Sequence, residues 1–160
     1  MSNQVHVVFP ERGDVLLDQV EELFALHIEH LASVGQLVPM VDDAPHLWRA
    51  GVERSIGRIG TVTVAVVGDE AVGFCYGVIR ALPDYLGGSK FATMPHFFVR
   101  EDQRGLGVGR LLYRTFERWC ADRGCTSIES YVAIGDERAA RFWDGAGFVP
   151  EHTQIRRFLG

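Results

Sequence analysis

The segment Arg104-Gly105-Leu106-Gly107-Val108-Gly109 sets three glycines at alternate positions, between an apolar run at 91–99 and an amphipathic one beginning at Leu111. Glycine leaves backbone N–H groups uncovered, and a helix starting there adds the positive end of its dipole. Such a turn can receive a phosphate or pyrophosphate. Spacing narrows the choice. No Gly-Lys-Ser/Thr follows, so this is not a P-loop, and Arg110 stands where the dinucleotide fingerprint needs its third glycine. Glu129 lies about where a ribose-binding acid would fall, which alone is weak support for that fingerprint. Between Arg100 and Arg123 six arginines face four acids, a positive stretch in a chain of formal net charge −5. That suits a polyanionic ligand, although i,i+4 pairing on a solvated helix explains at least half of those arginines.

The hydropathy pattern supplies the elements that must hold this loop. Residues 5–9 alternate and are broken by Pro10, which predicts a short edge strand. From Asp14, the residues Leu16, Val20, Leu23, Phe24, Ile28 and Leu31 recur at helical spacing, with Gly35 as the stop. After a turn-rich stretch, Pro45 can open a second helix through Trp48 and Val52. Residues 61–67 and 71–79 read as a hairpin turning at Asp69-Glu70, without the glycine of the tightest turns. A loop at 82–89 leads to a strand at 91–99. Beyond the glycines, Leu111, Leu112, Phe116, Trp119 and Cys120 mark one face of a helix ending near Gly124. A strand at 127–133, a helix at 136–146 and a last strand at 151–159 complete the order β-α-α-β-β-β-α-β-α-β. This predicts one mixed α/β domain over 1–160.

Composition sets the outer limits. With 160 residues, 47% apolar and 23% charged, the chain can bury a full core, so disorder and fibrous classes are disfavoured. Net negative charge argues against nucleic acid as partner. The longest apolar run, at 62–67, is far short of the roughly 20 residues that span a bilayer, so no membrane partner is expected. Six acids in the first thirty residues are incompatible with a secretory signal. Cys75, Cys120 and Cys125 form no CxxC pair and lack the partners of a zinc site. No metal is expected, and the compartment implied is reducing and cytoplasmic.

The glycine loop resembles the acetyl-CoA pyrophosphate loop of the GNAT N-acetyltransferases, whose pattern Q/R-x-x-G-x-G/A is met from Arg104 to Gly109. The match extends downstream, where Ala139, Phe142, Trp143 and Gly147-Phe148 follow the family's N-x-x-A-x-x-φ-Y-x-x-x-G-F helix and its ending. The resemblance runs from about Val5 to Leu159. It implies the GNAT acyl-CoA N-acyltransferase fold, a mixed, mostly antiparallel twisted sheet flanked by about four helices. It implies acetyl-CoA as co-substrate, with Phe97, Phe98 and Val99 at the strand end that pairs with the pantetheine arm. Arg104, Gly105, Leu106, Gly107, Val108, Gly109 and Arg110 would surround the pyrophosphate, and Asp136 and Trp143 would contact the cofactor from the next helix.

Two positions depart from the family pattern, and both concern the proton that the leaving thiolate takes up. The usual acid is the motif tyrosine, but Trp143 stands there, and an indole N–H is no usable acid. The motif asparagine is Asp136, whose simplest role is to cap its helix. Tyr131 is the replacement candidate, five residues before Asp136, where some members carry an active-site glutamate. Glu129 shares its strand parity and is a candidate base. His96 has a suitable intrinsic pKa to take a proton from an ammonium. Its parity is awkward, because the base of the histone-acetylating branch falls at Thr93, and a bulge in this strand could reset it. His27, His30 and His46 lie in the region that shapes the acceptor site. Glu22, Glu29, Asp42, Asp43 and Asp84 could draw in a cationic acceptor.

The expected activity is transfer of acetyl from acetyl-CoA to a primary amine of a small molecule, by direct attack in a ternary complex. The alternatives are a protein acetyltransferase acting on an N-terminal amine or lysine, and a non-catalytic acyl-CoA-binding module. A homodimer is compatible with the resemblance.

Overall fold

The computed structural model describes residues 4–160. Five strands form one sheet in the order β1-β2-β3-β4-β5: β1 (Val5–Val8), β2 (Gly60–Val67), β3 (Glu70–Ala81), β4 (Lys90–Val99) and β5 (Ser127–Ser130). Pairing is antiparallel from β1 through β4, and only β4 with β5 is parallel. Parallel neighbours need a long crossover. Helix α3 (Val108–Asp122) provides it. The sheet and its four helices are the mixed α/β arrangement of the GNAT fold.

Helices α1 (Leu16–Ser33) and α2 (Ala44–Ser55) cover one face of the sheet. The stripe Leu17, Val20, Leu23 and Phe24 on α1 packs there against Val52, Val62, Val64, Phe74 and Phe98. On the opposite face α3 and α4 (Glu137–Gly145) close over Cys75, Met94, Phe116 and Trp143. Among the described residues, no helix is long and apolar enough to cross a membrane.

Three expectations are corrected. The hairpin turn is Gly68-Asp69, since Val67 pairs with Glu70, and Gly68 takes φ +62° at the first central position. The tight turn therefore does have its glycine. Strand β5 ends at Ser130 rather than at 133. The segment 151–159 forms no strand: it pairs with no strand among the described residues, and Ile155, Phe158 and Leu159 are exposed. Alternation makes a strand only where a neighbouring edge takes up its backbone groups.

A bulge in β4 matters most for function. Tyr76 pairs with His96 and Val78 with Thr93, so Met94 and Pro95 together oppose Gly77. Proline has no N–H to give to the ladder, which suits a bulged position. The extra residue reverses parity from that point on. Met94 and Phe97 therefore face α3, whereas His96 and Phe98 turn to α1.

Candidate active site

Strands β4 and β5 run together from Phe91↔Ser127 to Met94↔Ser130 and then part. Ser130 marks the fork, its hydroxyl donating to the Met94 carbonyl at 2.9 Å. Beyond it β4 continues to Val99 without a neighbour on that side. Arg100 N–H is bonded to the Val72 carbonyl on β3. Backbone groups alternate along a strand, so those of Val99 and Phe97 turn the other way, into the gap. Arg104 Nε holds the Val99 carbonyl at 2.8 Å, and its guanidinium lies over the Phe98 ring, 5.5 Å from the centroid. The fork opens into a cleft of about 1120 Å³.

The glycine loop forms one end of this cleft. Gly105 and Gly107 have φ of +77° and +86°, values that side chains resist. Gly107 is the N-cap of α3, whose first bond runs from Leu111 N–H to the Gly107 carbonyl. The N–H groups of Val108, Gly109 and Arg110 precede that bond and are free for an anion. Gly105, Gly107, Gly109 and Arg110 line the cleft. Two expected contacts do not: the Leu106 side chain is out in solvent, and Val108 is buried against Val99 and Leu112. Both sit next to a glycine whose strained φ aims the chain away, so only their backbone is available.

Four polar side chains meet where α1 crosses the fork. His96 Nδ1 lies 3.4 Å from His27 Nε2, and the Phe24 and Trp48 rings stand edge-on to His96. Burial lowers the His27 pKa to about 3, helped by His96 and His30 nearby. Burial alone lowers His96 to about 4. Both are therefore neutral at ordinary pH. His30 Nε2 meets Asp136 Oδ2 at 2.7 Å, while Asp136 Oδ1 accepts the Ala139 N–H at 3.0 Å. Burial pushes the Asp136 carboxyl up, but these two hydrogen bonds win and hold it below its ordinary range. Gly135 makes the crossing passable, since a Cβ there would stand 2.5 Å from the Val34 carbonyl at the end of α1.

The other predicted residues divide. Tyr131 lines the cleft, two-thirds exposed. Trp143 lines it too, but sits buried among Phe97, Phe142, Tyr113 and Phe148 at ring separations of 4.8 to 5.6 Å. Glu129 is exposed on β5 opposite Thr93 and does not reach the cleft wall. Glu22, Glu29, Asp42, Asp43 and Asp84 are exposed and none lines the cleft. His46 points outward, 3.8 Å from Glu21. Sequence reasoning missed the Ser130 latch, the need for Gly135 and the His30–Asp136 pair. Only the cap pattern at Asp136 was visible, because its partner lies 106 residues away.

The fold recurs in known proteins. A solved mutant of the BH1408 protein from Bacillus halodurans superposes with a TM-score of 0.80 at 20% identity, covering 96% of this chain and 99% of that one. The aminoglycoside N-acetyltransferase AAC(6')-Iy, solved in complex with CoA, superposes with a TM-score of 0.76 at 18% identity, covering 99% and 97%. An aminoglycoside N(6')-acetyltransferase type 1 of Klebsiella aerogenes is 31% identical over 104 residues, 64% of this chain and 68% of the relative. The profile of the Acetyltransferase (GNAT) family matches residues 21–148. With that match over most of its length, the chain belongs to the GNAT acetyltransferase family.

Proposed function

We propose that residues 1–160 act as one catalytic domain that moves acetyl from acetyl-CoA to a primary amine of a small molecule, by direct attack with both substrates bound. One observation carries this reading: the fork between β4 and β5, the glycine loop and the histidine cluster all open into a single cleft. Free N–H groups at the start of α3, with Arg110 beside them, fit a pyrophosphate. The backbone of Phe97 and the Val99 N–H, which face the gap, fit an amide-bearing arm laid along β4, as a further strand would lie, while the Val99 carbonyl is taken by Arg104. A backbone N–H there can also polarise the thioester oxygen.

Acetyl-CoA supplies the activated carbonyl; the chain manages position and protons. As the neutral amine nitrogen bonds to the acetyl carbon, the C–S bond breaks and its electron pair goes to sulfur. The nitrogen gives up one N–H proton to water, which restores the acid that protonates the thiolate. Tyr131 is our candidate to give that sulfur a proton, a reading supported by its position on the cleft wall and by its hydroxyl having no hydrogen-bond partner among the described residues. His96 differs from the sequence expectation. Held at about 4, it takes little of an ammonium's proton, so the amine must arrive neutral or lose its proton to water. His96 then serves as a neutral hydrogen-bond partner. The rate should rise with pH along the amine's own pKa, with no limb near neutrality from His96.

Thiol release from acetyl-CoA, measured with a panel of amines and peptides, tests the reading. Turnover with small amines supports it. Turnover with peptides alone makes the acceptor a protein, and tight CoA binding with no turnover makes the chain a binding module. Within the active case, Tyr131→Phe should lower kcat about 100-fold with CoA affinity unchanged. Unaltered kcat would leave water as the proton source.

A further inference from the structure

We propose that the acceptor is a monoamine carried on an apolar or aromatic body, and that a polycation of the aminoglycoside or polyamine kind is refused. This rests on the acetyl-transfer reading above and names the substrate class of the same cleft. The charges that line it carry the inference. Among the described residues lining the cleft, Asp136 is the one carboxylate, against Arg104, Arg110, Arg138 and Arg156. Asp136 is already committed, with one oxygen on His30 and the other on the backbone of α4. His27 and His96 are neutral and carry no charge that an ammonium could use. Residues Glu22 and Glu29 occupy a different stripe of α1 from His27 and Leu31: at 100° per residue, Glu29 is turned about 200° from His27.

The remaining wall is apolar. Leu31 on α1, Val34 at its C-cap, Leu37 and Val38 on the loop after it, and Val132 and Ile134 after β5 line the cleft. Leu37 and Ile134 are 61% and 88% exposed, so they form an open apolar rim rather than part of the core. Such a rim around a few polar groups is typical of a small-molecule site. A reacting amine must be neutral to attack, so it needs no counter-charge. Each further ammonium of a polycation would lose water against apolar side chains, with no uncommitted carboxylate on this wall to meet it. The net charge of −5 does not help, because the acids that produce it are elsewhere.

The test uses the full chain saturated with CoA and measures binding of 2-phenylethylamine, spermidine and kanamycin by calorimetry, in parallel with thiol release from acetyl-CoA. 2-Phenylethylamine should bind at least about 10-fold more tightly than either polycation, the worth of one desolvated charge or more. Equal or tighter binding of spermidine or kanamycin overturns the proposal, as does failure of 2-phenylethylamine to bind. Because binding is read without turnover, absence of thiol release with every amine would refute acetyl transfer and leave the binding order standing as its own result. Leu37→Glu adds a carboxylate at the exposed rim without touching the core. It should shift the binding ratio toward spermidine by about 3- to 10-fold; an unchanged ratio counts against the proposal.

Discussion

At the scale of single residues, the site depends on backbone conformation as much as on side-chain chemistry. Gly107 is the clearest case. Its φ of +86° costs an L-residue about 1–2 kcal/mol, and nothing lies within 4 Å of the Cβ position to add a clash. A side chain there would fit, but it would pull the loop out of shape and cover the N–H groups at the start of α3. Gly107→Val should therefore weaken CoA binding about 10-fold or more and lower the thermal midpoint by only about 2–8 °C, read by calorimetry beside a melting curve. Wild-type affinity would show that the anion site lies elsewhere. Arg104 is a different kind of residue. Its Nε is held by the Val99 carbonyl and its guanidinium by the Phe98 ring, so it braces the loop against β4 as well as adding charge.

At the scale of elements, the sequence showed what periodicity and caps can show. Helix α1 with its buried stripe, α3 after its glycines and the cap of α4 at Asp136 were all readable, because each is encoded within a few neighbouring residues. The bulge at Met94-Pro95 was readable only as an option, since which residue is extra depends on the register with β3. The missing last strand could not be foreseen, because alternation at 151–159 says nothing of a neighbouring edge. Nor could the packing of α1 across the fork, which makes His27 a buried, uncharged residue. That burial has a measurable consequence. His27 faces His96 from β4, His30 on its own helix, Asp136 from the start of α4 and Arg104 from the loop. Its folded pKa of about 3, like the value of about 4 for His96, lies below the unfolded value near 6.5. The unfolded chain thus binds more protons between those limits, and stability falls as pH drops below about 6.5. Each histidine contributes a slope of roughly 1 kcal/mol per pH unit within the window, before screening by neighbours. Urea denaturation of wild type at pH 7, 6 and 5 should show this loss, and His27→Leu should show a visibly shallower one. Parallel pH dependences in the two proteins would mean that His27 is hydrated and titrates normally.

At the scale of the whole molecule, charge is segregated. The chain is acidic, yet its cleft presents four arginines against one committed carboxylate. The exposed acids of α1 and the loop before α2 lie off the cleft wall. In the sequence, net charge and local acids look like a lure for a cationic acceptor; only the folded arrangement shows that the acids and the cleft are apart. This arrangement makes the protein electrostatically attractive to a polyphosphate at one place and unattractive elsewhere. Segments far apart in the chain cooperate in it, since Arg104 and Arg110 come from the loop, Arg138 from α4 and Arg156 from the terminal segment that was expected to be a strand. Salt should therefore act on the two substrates differently. Raising ionic strength from 0.01 to 0.15 M shortens the screening length from about 30 to about 8 Å. The association rate of CoA, followed by stopped flow, should fall about 10-fold over that range, because steering by several charges is lost. The KM of an apolar monoamine, which enters neutral against apolar walls, should change less than about 2-fold. If CoA association proved indifferent to salt, the arginines would be contributing contact rather than field, and the segregation of charge would have no kinetic consequence.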